Sequence, residues 1–168
     1  MEKNQNRREQ DALRYAYKLL AIRNRSADEL LNRLELKGFS RCESENAVLL
    51  LQEKGYVDDI VFTKSWLQER INNKPMGRKR LLNELVKKGI SLELCQEEVE
   101  SLLPGDTELR IALQLARKRW ERSPLVCPHK KIIRIAGLLA RRGFSSGIIN
   151  QVCTKLYSKK DGPQEIEW

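Results

Sequence analysis

The stretch "LVKKGIS", residues 85–91, occurs in near-copy as "LELKGFS" at 34–40 and "LLARRGFS" at 138–145. Each copy has the order expected at a joint between two helices. Cations in a last helical turn complement the negative end of the helix dipole. Glycine then takes the left-handed conformation that ends a helix, and the next apolar residue folds back onto the helix just left. Serine starts the following helix as its N-cap. Gly38, Gly89 and Gly143 are the expected stops, Phe39, Ile90 and Phe144 the residues folding back, and Ser40, Ser91 and Ser145 the caps. Glu43 lies three residues after Ser40, completing a capping box.

A joint used three times implies a repeat. Asp11, Asp58 and Asp106 stand at equivalent places before helical patterns, and Leu34, Leu85 and Leu139 each precede a joint glycine by four residues. The unit is long enough for three short helices. In the first unit they are expected at about 12–23, 27–36 and 41–54, the second opened by Ser26 and Glu29 and the third stopped by Gly55. In the second unit they fall at 59–72, 76–87 and 92–103, and in the third at 107–121, 129–141 and 146–157, with the loop "RSPLVCP" inside. No segment alternates for long with period two, so no sheet is expected. The predicted fold is all-α, a tandem repeat of three three-helix units. Residues 1–10 read as a flexible N-terminal segment, 11–57, 58–105 and 106–158 as the repeats, and 159–168 as an acidic tail.

Apolar residues recur at three- and four-residue spacing, as in Leu30, Leu31 and Leu34 or Leu81, Leu82 and Leu85. Such helices bury little alone, and stacking the units shares their apolar surface, which predicts an elongated, gently curved body. Tyr15, Tyr17, Phe62, Trp66 and Trp120 lie on the first helices and read as core packing.

Charged residues make up 33% and hydrophobic ones 40%, too apolar a balance for a disordered chain. The longest apolar run, 135–140, is far too short to span a membrane, and "MEKNQNRREQ" offers no signal-peptide core, so a cytoplasmic protein without membrane contact is expected. Cys42, Cys95, Cys127 and Cys153 are scattered and His129 is the single histidine, so neither zinc nor any other cofactor is expected.

The net charge of +9 is unevenly placed. Residues 106–160 carry thirteen Lys and Arg against three Asp and Glu, whereas residues 1–105 carry nineteen against seventeen. A basic concentration of this kind attracts polyanions, of which nucleic acid is the commonest large one in the cytoplasm. An acidic protein partner would answer the same imbalance. Nothing supports an enzyme: no phosphate loop, no GxSxG and no histidine pair is present, and Asp58 with Asp59 reads as the charged start of a helix. No small-molecule substrate is expected.

"GYVDDIVFTKSWLQER" (55–70), followed by "GRKRLLNELVKKGI" (77–90), resembles the central signature of the RecX regulatory proteins, bacterial modulators of the RecA recombinase. "YAYKLLAIRNRSADELLNRLELKGF" (15–39) is similar to that family's first unit, and "RRGF" (141–144) matches its third. Gly55, Tyr56, Asp58, Asp59 and Gly89 carry the signature and are expected to be mainly structural. The resemblance implies tandem three-helix units that bind along the groove of the RecA filament on DNA, single- or double-stranded, and inhibit its ATPase, strand-exchange and coprotease activities. The expected cationic face consists of Arg78, Lys79, Arg80, Lys87, Lys88, Arg117, Arg119, Lys130, Lys131, Arg134, Arg141 and Arg142. Two other readings stay open: a direct DNA binder that needs no recombinase, and an adaptor whose basic surface meets an acidic protein.

Overall fold

The computed structural model describes residues 2–122 and 124–158. The acidic tail expected at 159–168 lies outside the described residues. Among those described there is no strand, and nine helices follow one another as three triplets: α1 (Glu2–Ile22), α2 (Ala27–Lys37) and α3 (Arg41–Glu53); α4 (Asp59–Asn73), α5 (Arg78–Val86) and α6 (Leu92–Leu102); α7 (Gly105–Glu121), α8 (Pro128–Arg141) and α9 (Ser146–Ser158). The all-α tandem repeat is the fold observed.

The three joints form alike. Gly38, Gly89 and Gly143 have φ of 100°, 77° and 80°. In each, the glycine N–H bonds the carbonyl three residues back, and the next residue's N–H bonds the leucine carbonyl five back: Phe39 to Leu34 at 3.2 Å, Ile90 to Leu85 at 3.3 Å, Phe144 to Leu139 at 3.1 Å. This paired arrangement satisfies carbonyls that a helix end otherwise leaves open. Ile90 and Phe144 are buried and Phe39 packs against the first core. Ser40, Ser91 and Ser145 each accept the backbone N–H three residues on, all at 3.3 Å, and Glu43 closes the capping box at Ser40.

Residues 2–10, read from the sequence as a segment apart, continue α1 toward the N-terminus. The stretch is polar, so it shows no apolar period, yet it contains neither Gly nor Pro, and two of its side chains reach the first joint and α3: Arg8 donates to the Gly38 carbonyl at 3.4 Å and pairs with Glu43 at 3.6 Å, while Glu9 accepts from Asn46 at 3.2 Å.

The chain forms two compact units, residues 1–66 with 84–98 and residues 67–83 with 99–168, so α4, α5 and α6 contribute to both. The first is built on Ala12, Ala16, Leu30, Leu34, Val48 and Leu51, and the second contains a core of Ala112, Ala116, Ile135, Leu139, Phe144 and Val152. Small residues on α1 and α7 let the other two helices of each triplet approach closely. Each fully buried leucine contributes about 2 kcal/mol. Phe62 and Trp66 are buried as expected, while Tyr15, Tyr17 and Trp120 are half-buried.

Within each unit the joint of one repeat meets the second helix of the repeat before it, by the same contact. In the first unit the Ser26 hydroxyl donates to the Lys88 carbonyl at 2.5 Å, and the Ala27 N–H donates to the Asp59 carboxylate at 2.9 Å. In the second unit the Gly77 N–H donates to the Arg142 carbonyl at 2.9 Å, and the Arg78 N–H donates to the Glu108 carboxylate at 3.0 Å. Ser26 and Gly77 are equivalent positions, as are Lys88 and Arg142. A carboxylate from the first turn of the following repeat thus caps the second helix of each preceding one. The approach is close: a Cβ built on Gly89 would lie 2.0 Å from Asp28 Cβ, and one on Gly77 2.3 Å from the Gly143 carbonyl oxygen.

Candidate nucleic-acid interface

The structure sorts eleven of the twelve expected cations into three groups, with Arg142 in two of them, and places Arg117 on an adjoining cleft. Some are committed within the fold. Arg78 donates to the buried Leu103 carbonyl through Nε at 2.9 Å and Nη2 at 2.6 Å and pairs with Glu100 and with buried Glu108. Arg80 donates to the Arg141 carbonyl at 3.1 Å and Arg142 to that of Pro75 at 2.9 Å. Lys88, half-buried, pairs with Glu29 at 3.4 Å and lies 5.6 Å from the Phe62 ring centroid. Lys131 sits 4.9 Å over the Trp120 ring. A second group, Lys79, Lys87 and Lys130, is exposed.

The third group is gathered. Arg119, Arg134, Arg141 and Arg142 line one cleft of about 770 Å3 in the second compact unit, between α7, α8 and the loop before α5. Lys118 and Arg122, absent from the expected set, complete it. Six cations therefore face one concavity whose other lining residues, Leu115, Ile133, Leu138 and Gly137 among them, include no acid. All but Arg142 are exposed. An adjoining cleft of about 920 Å3 shares Asn73, Pro75, Leu115 and Lys118 with the first and adds Arg110, Arg117 and Lys155, against the single acid Asp106. The sequence carries the signal for this arrangement: positions 115, 118 and 119 on α7 with 122 at its C-cap, and 134, 137, 138 and 141 on α8, repeat the spacing that keeps residues on one helix face.

The family-signature residues take structural places. Gly55 has φ of 73° and ends α3. Tyr56 is exposed and meets Tyr17 edge-on at 5.2 Å between ring centroids. Asp58 caps its own helix by accepting from the Ile60 and Val61 N–H groups at 2.8 and 3.0 Å. Burial holds the Asp59 carboxyl above its ordinary range; the Ala27 N–H works against this, and the charges of Asp58 and Asp28 add to it. Glu29 is shifted the other way. Burial would raise it, but Arg23, Lys88 and Arg25 together hold it low.

Among the described residues no cluster of three or more His, Cys, Asp or Glu could hold a metal ion, and no helix is long and apolar enough to cross a membrane. Cys42 and Cys127 are exposed and Cys95 is buried.

The fold and its charge define a small all-α protein of tandem three-helix repeats, its third repeat carrying the acid-free cleft. Residues 106–153 match the family model for the third three-helix domain of RecX. The chain is 31% identical over 132 residues to a regulatory protein RecX of Amycolatopsis mediterranei, covering 79% of this chain and 75% of that one. It is 32% identical over 151 residues to that of a Mycobacterium species, covering 88% and 82%. The crystal structure of RecX from Lactobacillus salivarius has the same fold, with a TM-score of 0.80 and 20% identity over 91% of this chain and 99% of that one. The chain belongs to the RecX family of regulatory proteins.

Proposed function

We propose that this protein regulates RecA by binding the recombinase filament on DNA, with the cations of its third repeat turned to the phosphates, and that it restrains ATP turnover, strand exchange and coprotease activity. It catalyses nothing itself and works in the cytoplasm. Repeats 11–57, 58–105 and 106–158 act as its binding modules. The observation that carries this reading is the acid-free cleft in the very repeat that the RecX model matches. Unpaired cations held together repel one another, and a polyanion relieves that repulsion. Membership of the RecX family supports a recombinase as the partner, and the cleft supports a polyanion beside it.

The test is the ATP hydrolysis rate of preassembled RecA filaments on single-stranded DNA, titrated with this protein below one copy per recombinase. A fall at substoichiometric levels is expected, because a regulator seated on a polymer acts on many subunits. An unchanged rate with DNA still bound would leave only direct nucleic-acid binding.

A further inference from the structure

We propose that the cleft between α7 and α8 is a seat for one nucleic-acid strand rather than a duplex, and that the strand runs from it into the adjoining cleft along α7. The proposal rests on the reading above that the third repeat meets DNA, and it names which cations do so and what they hold.

Three features of the cleft support it. First, its charge is available. Lys118, Arg119, Arg122, Arg134 and Arg141 are exposed, and none has an ion pair or side-chain hydrogen bond to a described residue, unlike Arg78, Arg80 or Lys88. Second, its lining carries apolar surface among the cations, from Leu115, Ile133, Leu138 and the bare backbone of Gly137. Phosphates on the cations and sugars or bases on such a surface match a strand whose bases are accessible. A duplex keeps its bases stacked inside and offers such a surface only its backbone. Third, the two clefts share four lining residues, so a strand leaving one meets Arg110, Arg117 and Lys155 in the other. From Arg110 to Arg122 the helix rises about 18 Å, or about five phosphate steps of a stacked strand. The Trp120 ring is already engaged by Lys131, so the apolar surface is aliphatic and reads no sequence.

Gly137 makes the proposal testable without changing a charge. It lies within α8, where glycine lowers helix stability by about 1 kcal/mol relative to alanine. A Cβ there would meet only the end of the flexible Arg141 side chain, at 3.3 Å. Gly137→Leu therefore fills the cleft and favours the helix while keeping all six cations. Anisotropy of a labelled oligothymidine of about 15 nucleotides, and of a hairpin duplex of similar length, reads the result with no recombinase present. Gly137→Leu should weaken strand binding about tenfold and leave duplex binding within about twofold. Equal loss on both probes, or none on either, overturns the cleft as a strand seat. Should the leucine variant lose its helical signal, Arg119→Gln with Arg134→Gln provides the second test; it must weaken the strand more than the duplex, or the proposal fails. Filament ATPase separates the two readings. Suppression that persists while strand binding ignores Gly137→Leu removes the seat and keeps the regulator. Selective loss of strand binding without any suppression by the parent protein does the reverse.

Discussion

Replacing Arg78 with alanine should unfold the protein more readily and leave nucleic-acid binding intact, although Arg78 stands in the most basic run of the middle repeat, "GRKR". Its guanidinium is the side-chain donor to the Leu103 carbonyl, a residue with no exposed surface. Leaving a buried carbonyl without that donor costs about 1–3 kcal/mol. The pair with Glu100, whose side chain is 65% exposed, adds at most about 1 kcal/mol. Glu108 is nearly enclosed but keeps the backbone N–H of residue 78, which alanine retains. The sum is about 1–4 kcal/mol, and at about 2–4 °C per kcal/mol the melting midpoint should fall by about 8 °C. Lys79→Ala, one residue away and exposed, should change stability by no more than about 0.5 kcal/mol. Thermal melts followed by circular dichroism compare the two, and oligonucleotide anisotropy well below both transitions completes the comparison. A midpoint for Arg78→Ala within about 1 °C of the parent, together with weakened binding, would refute the assignment of this arginine to the fold.

The exposed cations of the two clefts set a salt dependence: with the five of the first and Arg110, Arg117 and Lys155 of the second, log affinity for a single strand should fall with log salt at a slope near −5.6, relaxing to about −4.2 in Arg119→Gln/Arg134→Gln, and an unchanged slope would remove those two from the contact. The joint glycines should separate by their surroundings. Gly38→Ala, strained but open, should cost about 1 kcal/mol, whereas Gly89→Ala and Gly143→Ala also drive a Cβ into Asp28 or Arg80 and should cost about 3 kcal/mol or more in urea unfolding. Equal costs would mean that these contacts give way freely. Asp59, raised above its ordinary 3.8 by burial, favours the folded state fully only below that value, and the contribution is lost as pH rises through the raised one. Asp59→Asn keeps an acceptor for Ala27 and drops the charge, so its urea midpoint should match the parent near pH 4 and equal or exceed it at pH 7; a lower midpoint at pH 7 would contradict this.

What was legible in the sequence was what the chain encodes within a few residues. A joint needs a cation, a glycine, an apolar residue and a serine in order, and all its hydrogen bonds close within six residues, so "LVKKGIS" states its own geometry. The start of α1 was hidden because its first turns are polar and Arg8 there meets Gly38 and Glu43, thirty or more residues away. Charge was legible as amount but not as direction. Arg78, Arg80 and Arg142 look in sequence like Arg119 and Arg134, yet they bind carbonyls whose positions depend on which repeat follows. Lys118 and Arg122 were missed for the opposite reason. Their helical spacing marks them as neighbours of Arg119, but the cleft exists only once α8 lies alongside, and nothing local announces that.

The repeated contact explains a residue that would otherwise look incidental. At the second helix of the first two repeats, the first N–H, that of Ala27 or Arg78, is taken by a carboxylate from the repeat that follows, Asp59 or Glu108. In the third repeat the equivalent residue is Pro128, which has no N–H to satisfy. Its N-cap, Cys127, makes no side-chain cap. Proline also presets the backbone angle that opens a helix, so α8 can begin without the neighbour on which α2 and α5 depend. The first repeat differs at the other end: nothing lies within 4 Å of where a Cβ on Gly38 would stand, whereas Gly89 and Gly143 press against a preceding repeat. There the extended α1 supplies Arg8 to the Gly38 carbonyl instead. Among the described residues, the joint of the first repeat thus takes its partner from its own α1, and the second helix of the third repeat opens on a residue with no N–H to cap.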